Sequence, residues 1–576
     1  MLSREAAASS ILLALLACQP APAGDEASET DDEIGDSEST DTSTSTTTES
    51  TDTTTTDSTD TTEESTETGE PETWRSALYP EDWTPGFTDE EGRFLHDFSY
   101  AGYHKGELEL PDTVPGVTIS VLDHGADPSG QSDSCPAIQA TIDAVVQAGG
   151  GVVQLPAGSY RCDDLLTLSA SDVVIRGEGP DATFLWFTRS ANMSDRAHLR
   201  IGGTLSNGAE YPLTSDGQAL SHSVWVADAG ELEVGDEVAL GWVITDEFIA
   251  DHQMTGTWVS FNGQWRPFFR REVEAIECGM GGCEITLDVP LRYPALLRDQ
   301  ASLRVESGYI REVGVEDLAV STVVEWEQAW ANDRTHAIGL IAVADAWIRN
   351  VHSYESPNSS DDRERHLMSG GLLVRDAKRI TIADAVMARA QNRGGGGNGY
   401  LFEISRSNEV LTVDSVGSEG RHNFIQNWDF GTSGCVWLRI STAGSLNVLD
   451  SSEALSFPAA SEFHHSLALA NLIDDSVIDD AWHAVNRNDY SSGAGHSATQ
   501  NVLWNLRGEG TIRSFQFGWG YVIGTQGLTV RRLLREGVLF DSLDTEPVDW
   551  LEGEDLGDTL APGSLYEDQL LRRLGG

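Results

Sequence analysis

Positive charge is scarce in this chain of 576 residues. Only 36 Lys and Arg side chains face 93 Asp and Glu, which gives a formal net charge of −57 at pH 7. We therefore expect no nucleic acid partner, because binding a phosphate backbone requires a basic face. A strongly anionic polysaccharide would also be repelled, unless Ca²⁺ bridges the carboxylates or the binding site itself is basic.

Long apolar runs are lacking as well. The segment Ser9–Ala17 is too short to span a bilayer. It leads into Leu15-Leu16-Ala17-Cys18, which resembles the processing site of a bacterial lipoprotein. The resemblance implies a signal peptide within residues 1–18, a lipid on Cys18, and no other membrane attachment. The alternative is an ordinary secretory signal, and under either interpretation the protein is exported, to the cell envelope with exposure on the outer membrane, or into the medium.

Residues 19–73 predict a disordered acidic stalk. From Gly24 to Thr73 the sequence is almost entirely Ser, Thr, Asp, Glu and Gly, without Lys or Arg. Such a segment cannot bury enough apolar surface to fold. At about 3.4 Å per residue it reaches on the order of 170 Å when fully extended, enough to hold a domain away from a membrane.

The stretch 125–161 has the pattern of a short amphipathic helix followed by a strand. Asp133 and Ser134 offer helix caps, Pro136 suits the first turn, and the Gly run 149–151 ends the helix. The apolar residues that share one helix face are Ala137, Ile138, Ile142, Val145 and Val146. A Val-Val-Gln-Leu strand and a Pro-Ala-Gly turn come next.

This stretch resembles the amino-terminal cap of the pectate-lyase-like family of right-handed parallel β-helices. The shared features are an acidic-Gly turn, an Ala-Ile-Gln helix, a Gly run and a Val-x-x-Pro-x-Gly-x-Tyr strand. The resemblance implies an all-β solenoid with a capping helix and a carbohydrate-active role. It does not identify the reaction, because one fold carries many functions.

Later segments predict further coils and one insertion. Longer alternating strands between residues 196 and 305 indicate a small inserted β-barrel or sandwich. From residue 309 onward apolar runs recur at intervals of roughly 25 to 35 residues, as in a solenoid. The predicted organisation is a signal peptide (1–18), stalk (19–73), leader packing over the first coil (74–116), cap and first coils (117–195), inserted subdomain (196–305), coils with a loop-built groove (306–545) and C-terminal cap (546–576).

Six Cys residues fit an exported chain. With Cys18 lipidated, a Cys135–Cys162 bond could join the cap helix to the first coil. Cys278 and Cys283 bracket a Gly-rich turn and could form a second bond, which leaves Cys435 as a buried thiol.

The loops between coils fall at one phase of the repeat, so a β-helix would stack them on one face. They carry a file of basic and imidazole groups in an otherwise acidic protein, and this file suits an extended polysaccharide. The predicted catalytic residues are Arg421, His422, His465, Asp480, His483 and Arg487. The predicted substrate-binding residues are His366, Arg393, Trp428, Trp482, Asp489 and His496.

Two reactions fit these groups. In β-elimination a base removes the proton next to a uronic carboxylate while a cation neutralises that carboxylate. Arg421 or Arg487 would be the cation, and His422, His465 or His483 the base. The sequence specifies no cofactor and leaves metal dependence open. Lyases of this fold also use Ca²⁺, for which the available ligands are Asp474, Asp475, Asp479 and Asp480.

Glycoside hydrolysis is the alternative, and it needs two carboxyl groups, one protonated and one ionised. The first candidates for it are Asp429, Asp480 and Asp489. A third alternative is a non-catalytic surface protein that binds glycan in the same groove. We favour a monomeric polysaccharide lyase.

Overall fold

The computed structural model describes residues 73–360, 363–533 and 546–575. The predicted signal peptide, the lipidation site Cys18 and the stalk before residue 73 lie outside these ranges. The helices are α1 (Cys135–Gln147), α2 (Asp246–Asp251), α3 (Trp326–Ala329), α4 (Tyr490–Gly493) and α5 (Leu565–Gly575). None of the helices in the described ranges is both long and apolar enough to cross a membrane.

Helix α1 covers the N-terminal end of the coils and buries Ile138, Ile142 and Val145, whereas Val146 is exposed. At its start Asp133, rather than Ser134, accepts a hydrogen bond from the first helical amide, Cys135 N–H, at 3.0 Å. Past its end, Gly151 has φ 137°, and a Cβ there would lie 1.9 Å from the Val117 carbonyl oxygen. Only glycine allows this close approach of the strands that begin at Val117 and Gly151.

The first coils follow the cap. Their strands are β1 (Val117–Ser120), β2 (Ser129–Asp133), β3 (Gly151–Gln154), β4 (Gly158–Cys162), β5 (Leu166–Leu168), β6 (Val173–Arg176), β7 (Thr183–Phe187) and β8 (Ala197–Gly202). The predicted disulfide Cys135–Cys162 is confirmed and joins α1 to β4.

The insertion is a six-stranded antiparallel sheet. Its strands are β9 (Ser206–Pro212), β10 (Ser223–Val226), β11 (Glu237–Val243), β12 (Trp265–Gly279), β13 (Gly282–Leu287) and β14 (Ser302–Ser307). They run in the order β10-β13-β12-β11-β14-β9, and a bridge from Leu213 to Val226 connects the two edges into a small barrel. The predicted Cys278–Cys283 bond is confirmed at the β12–β13 turn.

The remaining coils form the body of a right-handed parallel β-helix. The strands are β15 (Ile310–Thr322), β16 (His336–Ile341), β17 (Val343–Ser353), β18 (Gly370–Arg375), β19 (Lys378–Ala383), β20 (Val386–Ala388), β21 (Tyr400–Ser405), β22 (Asn408–Val413), β23 (Val416–Ser418), β24 (His422–Gln426), β25 (Val436–Leu438), β26 (Ser441–Ala443), β27 (Leu446–Val448), β28 (Ser456–Pro458), β29 (Ser461–Phe463), β30 (Ala468–Leu469), β31 (Leu472–Asp474), β32 (Val477–Ile478), β33 (Ala481–Ala484), β34 (Ala498–Thr499), β35 (Val502–Arg507), β36 (Thr511–Ser514), β37 (Tyr521–Gln526), β38 (Thr529–Arg531) and β39 (Trp550–Glu552).

One face of the β-helix is a ten-stranded sheet, here called the site sheet, in the order β38-β36-β33-β29-β24-β21-β18-β16-β8-β5. A 19-stranded sheet forms the remaining faces. Apolar side chains from both sheets fill the interior, for example Phe402 stacked on Phe424 with ring centroids 4.6 Å apart. The thiol of Cys435 is buried in this core, as predicted.

The leader runs along the whole stack, and not only over the first coil. Trp74 forms a bridge with Leu560 near the last coil, Gly102 N–H donates to the carbonyl of Glu409 in a middle coil, and Val117 pairs with Gly151 at the cap. Helix α5 packs on the leader, where the Tyr79 hydroxyl donates to Asp568 at 2.6 Å.

Candidate functional site

The outward side chains of the site sheet form one file across successive coils. Strand register aligns Glu403 of β21 with Ile425 of β24, and Ile425 with Glu462 of β29. Glu462 is in turn aligned with His483 of β33, and His483 with Arg513 of β36. Since alternate residues of a strand point to the same side, this file faces away from the core.

A buried cluster centres on the carboxylate of Glu462. Arg487 Nη1 lies 2.7 Å from Oε2, His422 Nε2 lies 3.3 Å from Oε1, and His464 Nδ1 contacts the same Oε1. None of these four side chains is more than 4% exposed. Two imidazoles and one guanidinium, from two coils and one loop, therefore converge on a single carboxylate.

The tautomer of His422 follows from its other ring nitrogen. Its Nδ1 lies 2.6 Å from the carbonyl oxygen of Ala460. Because a carbonyl oxygen only accepts hydrogen bonds, Nδ1 carries the proton. Nε2 is then the nitrogen that faces Glu462, and it can exchange a proton with its surroundings.

His464 has a similar arrangement with the nitrogens reversed. Its Nδ1 donates to Glu462, and its Nε2 lies 3.3 Å from the hydroxyl of Ser491. The same hydroxyl accepts a hydrogen bond from Arg487 Nη2 at 3.1 Å. Ser491 can therefore donate its proton to His464, whose Nε2 is the basic atom of a carboxylate–imidazole pair.

Tyr400 and His483 flank the cluster on neighbouring coils. The Tyr400 ring centroid lies 5.1 Å from that of His422 and 6.0 Å from that of His464. Burial, with the nearby charge of Arg513, lowers the pKa of His483 to about 3. His483 is therefore neutral at physiological pH.

A second carboxylate lies two strands away. Arg334 Nη2 is 3.1 Å from Glu403 Oε1, and His336 Nε2 is 2.8 Å from Glu403 Oε2. Burial would raise the pKa of Glu403, but the charge of Arg334 and the hydrogen bond with His336 outweigh it and hold that pKa well below its usual range. Glu403 is therefore ionised at neutral pH.

The loop 486–496 covers the cluster and is held in place by the inserted barrel. Trp258 Nε1 donates to the Ala494 carbonyl at 2.9 Å, and the Thr257 hydroxyl donates to Asp489 at 3.1 Å. A Cβ on Gly493 would lie 2.2 Å from the Thr257 carbonyl oxygen, so the two segments are in close contact. The insertion thus forms a wall beside the candidate site.

The structure brings some of the predicted catalytic residues together and separates others. His422 and Arg487 contact Glu462, and His483 is its strand neighbour. Arg421 precedes His422 but donates to the Gly394 carbonyl at 2.6 Å. His465 points away from Glu462: its Nε2 lies 2.8 Å from the Ser491 carbonyl, and its ring packs on Trp428 with centroids 4.1 Å apart. The imidazole of this pair that joins the cluster is that of His464.

Asp480 and two predicted binding residues lie apart from the cluster. Asp480 accepts hydrogen bonds from the hydroxyls of Ser445 and Thr442, and burial raises its pKa. His366 contacts the Ser353 hydroxyl, and burial lowers its pKa to about 4. Trp482 is fully buried in the coil core, where a bound polymer would not contact it.

Of the other predicted binding residues, two contact the insertion and one forms an ion pair with a glutamate. Asp489 and His496 both contact the insertion, His496 through its backbone N–H and the sulfur of Met254. Arg393 pairs with Glu453 at 3.2 Å.

The four aspartates expected as Ca²⁺ ligands have separate local partners. Asp474 accepts from the Ser564 hydroxyl, Asp475 pairs with Arg507, Asp479 accepts from Glu509 N–H, and Asp480 is held as described. Within the described ranges, the group with three ligand atoms close enough for one metal ion is His422, Glu462 and His464, all within 4.8 Å. Two imidazoles and a carboxylate suit a transition metal, but a dication there would be repelled by the guanidinium of Arg487, which is bound to the same carboxylate.

Sequence reasoning missed Glu462 and Tyr400 as site residues, and of the adjacent pair His464 and His465 it chose His465. Glu462 is one acidic residue among 93, and only its position on the site sheet distinguishes it. The available signal was the spacing of Glu462 and His464, since residues two apart in a strand share a face.

No protein-family model matches the chain. Part of it is similar to alginate-modifying enzymes of Azotobacter vinelandii. Mannuronan C5-epimerase AlgE1 is 34% identical over 126 residues, which is 20% of this chain and 9% of that enzyme. Alginate lyase 7 is 42% identical over 75 residues, which is 12% of this chain and 9% of the lyase. The chain thus matches less than a tenth of the length of each of these two relatives.

Solved structures with a similar course of the chain include the tailspike gp49 of Pseudomonas phage LKA1. It has a TM-score of 0.38 and 12% identity, over 77% of this chain and 81% of the tailspike. The A-module of mannuronan C-5 epimerase AlgE6 from Azotobacter vinelandii has a TM-score of 0.29 and 13% identity, over 77% of this chain and 99% of the module.

Proposed function

We propose that the protein is an exported enzyme that cleaves an extracellular uronate polysaccharide by β-elimination. The observation that carries this proposal is the convergence of His422, His464 and Arg487 on Glu462. Elimination requires a base for the proton next to the uronate carboxylate and a cation that stabilises the resulting negative charge. Both kinds of group are present in this one cluster.

In this proposal His464 is the base. Glu462 orients its ring through Nδ1, and Nε2 is the atom that takes the substrate proton. In the free protein the Ser491 hydroxyl lies at that nitrogen, so substrate entry requires Ser491 to move aside. As the C–H bond breaks, Arg487 stabilises the charge that spreads onto the uronate carboxylate, and the bond to the leaving glycosidic oxygen then breaks. Tyr400, next to His464, is the acid that protonates that oxygen.

Hydrolysis fits the geometry less well. It needs one carboxyl group that is protonated beside one that is ionised. Glu403 and Glu462 lie two strands apart, or about 9–10 Å along the sheet, and each is paired with an arginine. Asp429, Asp480 and Asp489 are held by Arg266, Ser445 and Thr257, respectively, and these three partners lie in different parts of the fold.

The partial similarity to a mannuronan epimerase and an alginate lyase supports a uronate substrate. Epimerisation at the carbon next to the carboxylate and β-elimination begin with the same proton abstraction. They differ in whether that carbon is reprotonated or the leaving oxygen departs. We favour elimination and treat epimerisation as the competing outcome.

We further propose that the enzyme acts outside the cell, attached through a lipid on Cys18 and held away from the membrane by the stalk. Metabolic labelling with a radioactive fatty acid, compared between the wild type and Cys18→Ser, tests the anchor. Label in both proteins or in neither would contradict it.

The activity is tested by incubating the full chain with polymannuronate, alginate, polygalacturonate and a neutral glucan, each with Ca²⁺ or with chelator. Ultraviolet absorbance reports unsaturated chain ends, a reducing-end assay reports every cleavage, and deuterium uptake from heavy water reports epimerisation. We expect absorbance and reducing ends to rise together on a uronate polymer.

Each other outcome has a distinct meaning. Reducing ends without absorbance would indicate hydrolysis, and deuterium uptake without new ends would indicate an epimerase. Binding without any of these signals would leave the non-catalytic glycan-binding protein as the better interpretation.

A further inference from the structure

A group of arginines beside the site binds a carboxylate from the protein itself. Strands β27 and β28 form an antiparallel hairpin, and Glu453 lies in the turn between them. Its Oε1 is 3.2 Å from Arg393 Nη2 and 3.3 Å from Arg365 Nη2, and its Oε2 is 3.8 Å from Arg363 Nη1. Three guanidiniums from two neighbouring inter-coil loops thus surround one carboxylate.

Arg365 and Arg393 each have an Nε–H donor without a hydrogen-bond partner in the described ranges. Arg365 is 9% exposed and Arg393 4% exposed, and both Nε–H groups are buried. Besides Glu453, Glu419 approaches Arg365 at 3.7 Å, so positive charge exceeds negative charge here, in a protein of net charge −57. Buried guanidiniums with unpaired donors favour a further anionic ligand.

The arginine group adjoins the catalytic candidates. The Gly394 carbonyl, next to Arg393 in sequence, accepts from Arg421 Nη1 at 2.6 Å. The Gly399 carbonyl accepts from the backbone N–H groups of Arg421 and His422, at 2.8 and 3.3 Å. The loop that carries Arg393 therefore borders the segment that carries His422.

The hairpin is fixed at its base and held at its tip by few contacts. At the base, Leu446 N–H donates to the Gly420 carbonyl and Ala459 N–H to the Ser445 carbonyl. At the tip, the Glu453 ion pairs are supplemented by a hydrogen bond from Trp326 to the Ser451 carbonyl. Leu449 and Leu455 in the connecting turn are about half exposed. Between base and tip, Val448 N–H donates to the Arg393 carbonyl at 3.1 Å, so residues 449–455 are the part of the hairpin that an opening would have to move.

We propose that Arg363, Arg365 and Arg393 form a subsite for a carboxylate group of the glycan, and that Glu453 occupies this subsite in the free protein. Substrate binding then exchanges one carboxylate for another, and the hairpin opens as Glu453 leaves. This inference rests on the proposed uronate substrate and extends it from the reacting sugar to a neighbouring one.

The test measures the Kd of a mannuronate oligomer by calorimetry, with a neutral oligomer of the same length as reference. Glu453→Gln keeps the shape of the side chain and removes the competing charge, so we expect binding to tighten by about three- to tenfold. The matched control is Asp450→Asn, which removes the same charge from the same hairpin at a side chain hydrogen-bonded to Ser452. Arg393→Gln should weaken binding, and the gain in Glu453→Gln should shrink at high salt.

Equal Kd values for Glu453→Gln and Asp450→Asn would overturn the inference, as would an equal gain for the neutral oligomer. If the wild type releases unsaturated ends while Glu453→Gln binds no more tightly, the subsite fails and the proposed lyase activity stands. If no variant binds or converts any uronate oligomer, both proposals fail.

Discussion

Two buried clusters of charge in this protein resemble each other in composition but differ in the groups they hold. Under the inserted barrel, Glu409 pairs with Arg271 at 3.0 Å and with Arg292 at 3.2 Å. Arg271 also donates to the carbonyls of Val289, Pro290 and Arg270. Around Glu462, by contrast, two of the three partners are imidazoles.

This difference is the basis for proposing a structural role for the Glu409 cluster and a catalytic role for the Glu462 cluster. Guanidiniums stay protonated at every physiological pH, so the Glu409 cluster can hold the insertion but cannot transfer protons. Imidazoles can give up and take up a proton, so the Glu462 cluster can both hold its segments together and transfer protons. Burial and charge alone therefore do not identify an active site. The two imidazoles, which can give up and take back a proton, are the reason we propose the Glu462 cluster as the active site.

The largest expected effect is on turnover, in Glu462→Gln. The amide no longer supplies the negative charge that orients and balances His464, so we expect the kcat of the folded fraction to fall by about 10²–10⁴. The buried guanidinium of Arg487 loses its counter-charge as well, so the melting temperature should also fall. Initial rates on the best uronate substrate and a melting curve measure both. His222→Asn, a change on the insertion outside the cluster, is the control and should keep full turnover. An unchanged kcat in Glu462→Gln would remove the cluster from the mechanism.

Glu409→Gln should lower stability without lowering kcat. Two buried guanidiniums lose their counter-charge, and we expect the free energy of unfolding to fall by about 3–5 kcal/mol. The folded fraction should keep its kcat, because no group at the Glu462 cluster changes. Denaturant unfolding gives the stability, with Asp414→Asn as the control. That change removes a surface pair with Arg439 and should cost less than about 1 kcal/mol. A Glu409→Gln variant as stable as this control would contradict the structural role.

Asp474 and Asp549 are buried carboxyl groups of a third kind. Within the described ranges, their side chains contact hydroxyl and amide groups and no cation. Burial raises the pKa of Asp474, beneath α5, and of Asp549 to about 7 each. The ordinary value is 3.8, so the folded protein holds these protons after the unfolded chain has released them. Their contribution to stability is complete below about pH 4 and is lost as the pH rises toward 7.

We therefore expect these two groups to make the unfolding free energy fall between pH 4 and 7. Denaturant titrations across that window measure the slope of the unfolding free energy against pH. Asp474→Asn should reduce this slope, because the amide does not titrate and only Asp549 still contributes. Asp414→Asn should leave the slope as in the wild type. A slope of the same size in Asp474→Asn would show that this carboxyl is not the titrating group.

The smallest expected effect is that of Ser491→Ala. In the proposed mechanism the Ser491 hydroxyl only occupies the place of the substrate at His464, so its removal should change kcat by less than about tenfold. Ser492→Ala is the neighbouring control. A loss of more than a thousandfold in Ser491→Ala alone would mean that this hydroxyl is itself a nucleophile, activated by His464, which Glu462 orients.

The fold could be predicted from the sequence because its signal is local. The capping helix, the glycine run after it and the strand-turn pattern lie within one short stretch around α1, and each element follows from residues a few positions apart. The disulfides followed from the same local elements. The file of basic and imidazole groups was also visible, since the loops recur at one phase of the repeat.

The identity of the site residues depended on register between coils, which the sequence does not specify. Ile425 and Glu462 are strand neighbours although more than thirty residues separate them, because strands β25 and β26 and the β27–β28 hairpin intervene. Without that register, nothing indicated whether His464 or His465 lies beside His422. The role of Glu453 was hidden for the same reason, since it meets Arg365 and Arg393 only after the hairpin folds back.

The path of the leader has a mechanical consequence. The described chain begins at residue 73, and Trp74 is bound to Leu560 at the last coil rather than at the cap. A pulling force applied to the preceding residues would therefore load the C-terminal end of the β-helix first, through the contacts of Trp74 and Tyr79. The force would reach the cap last, after the leader had been peeled away along the full length of the coils.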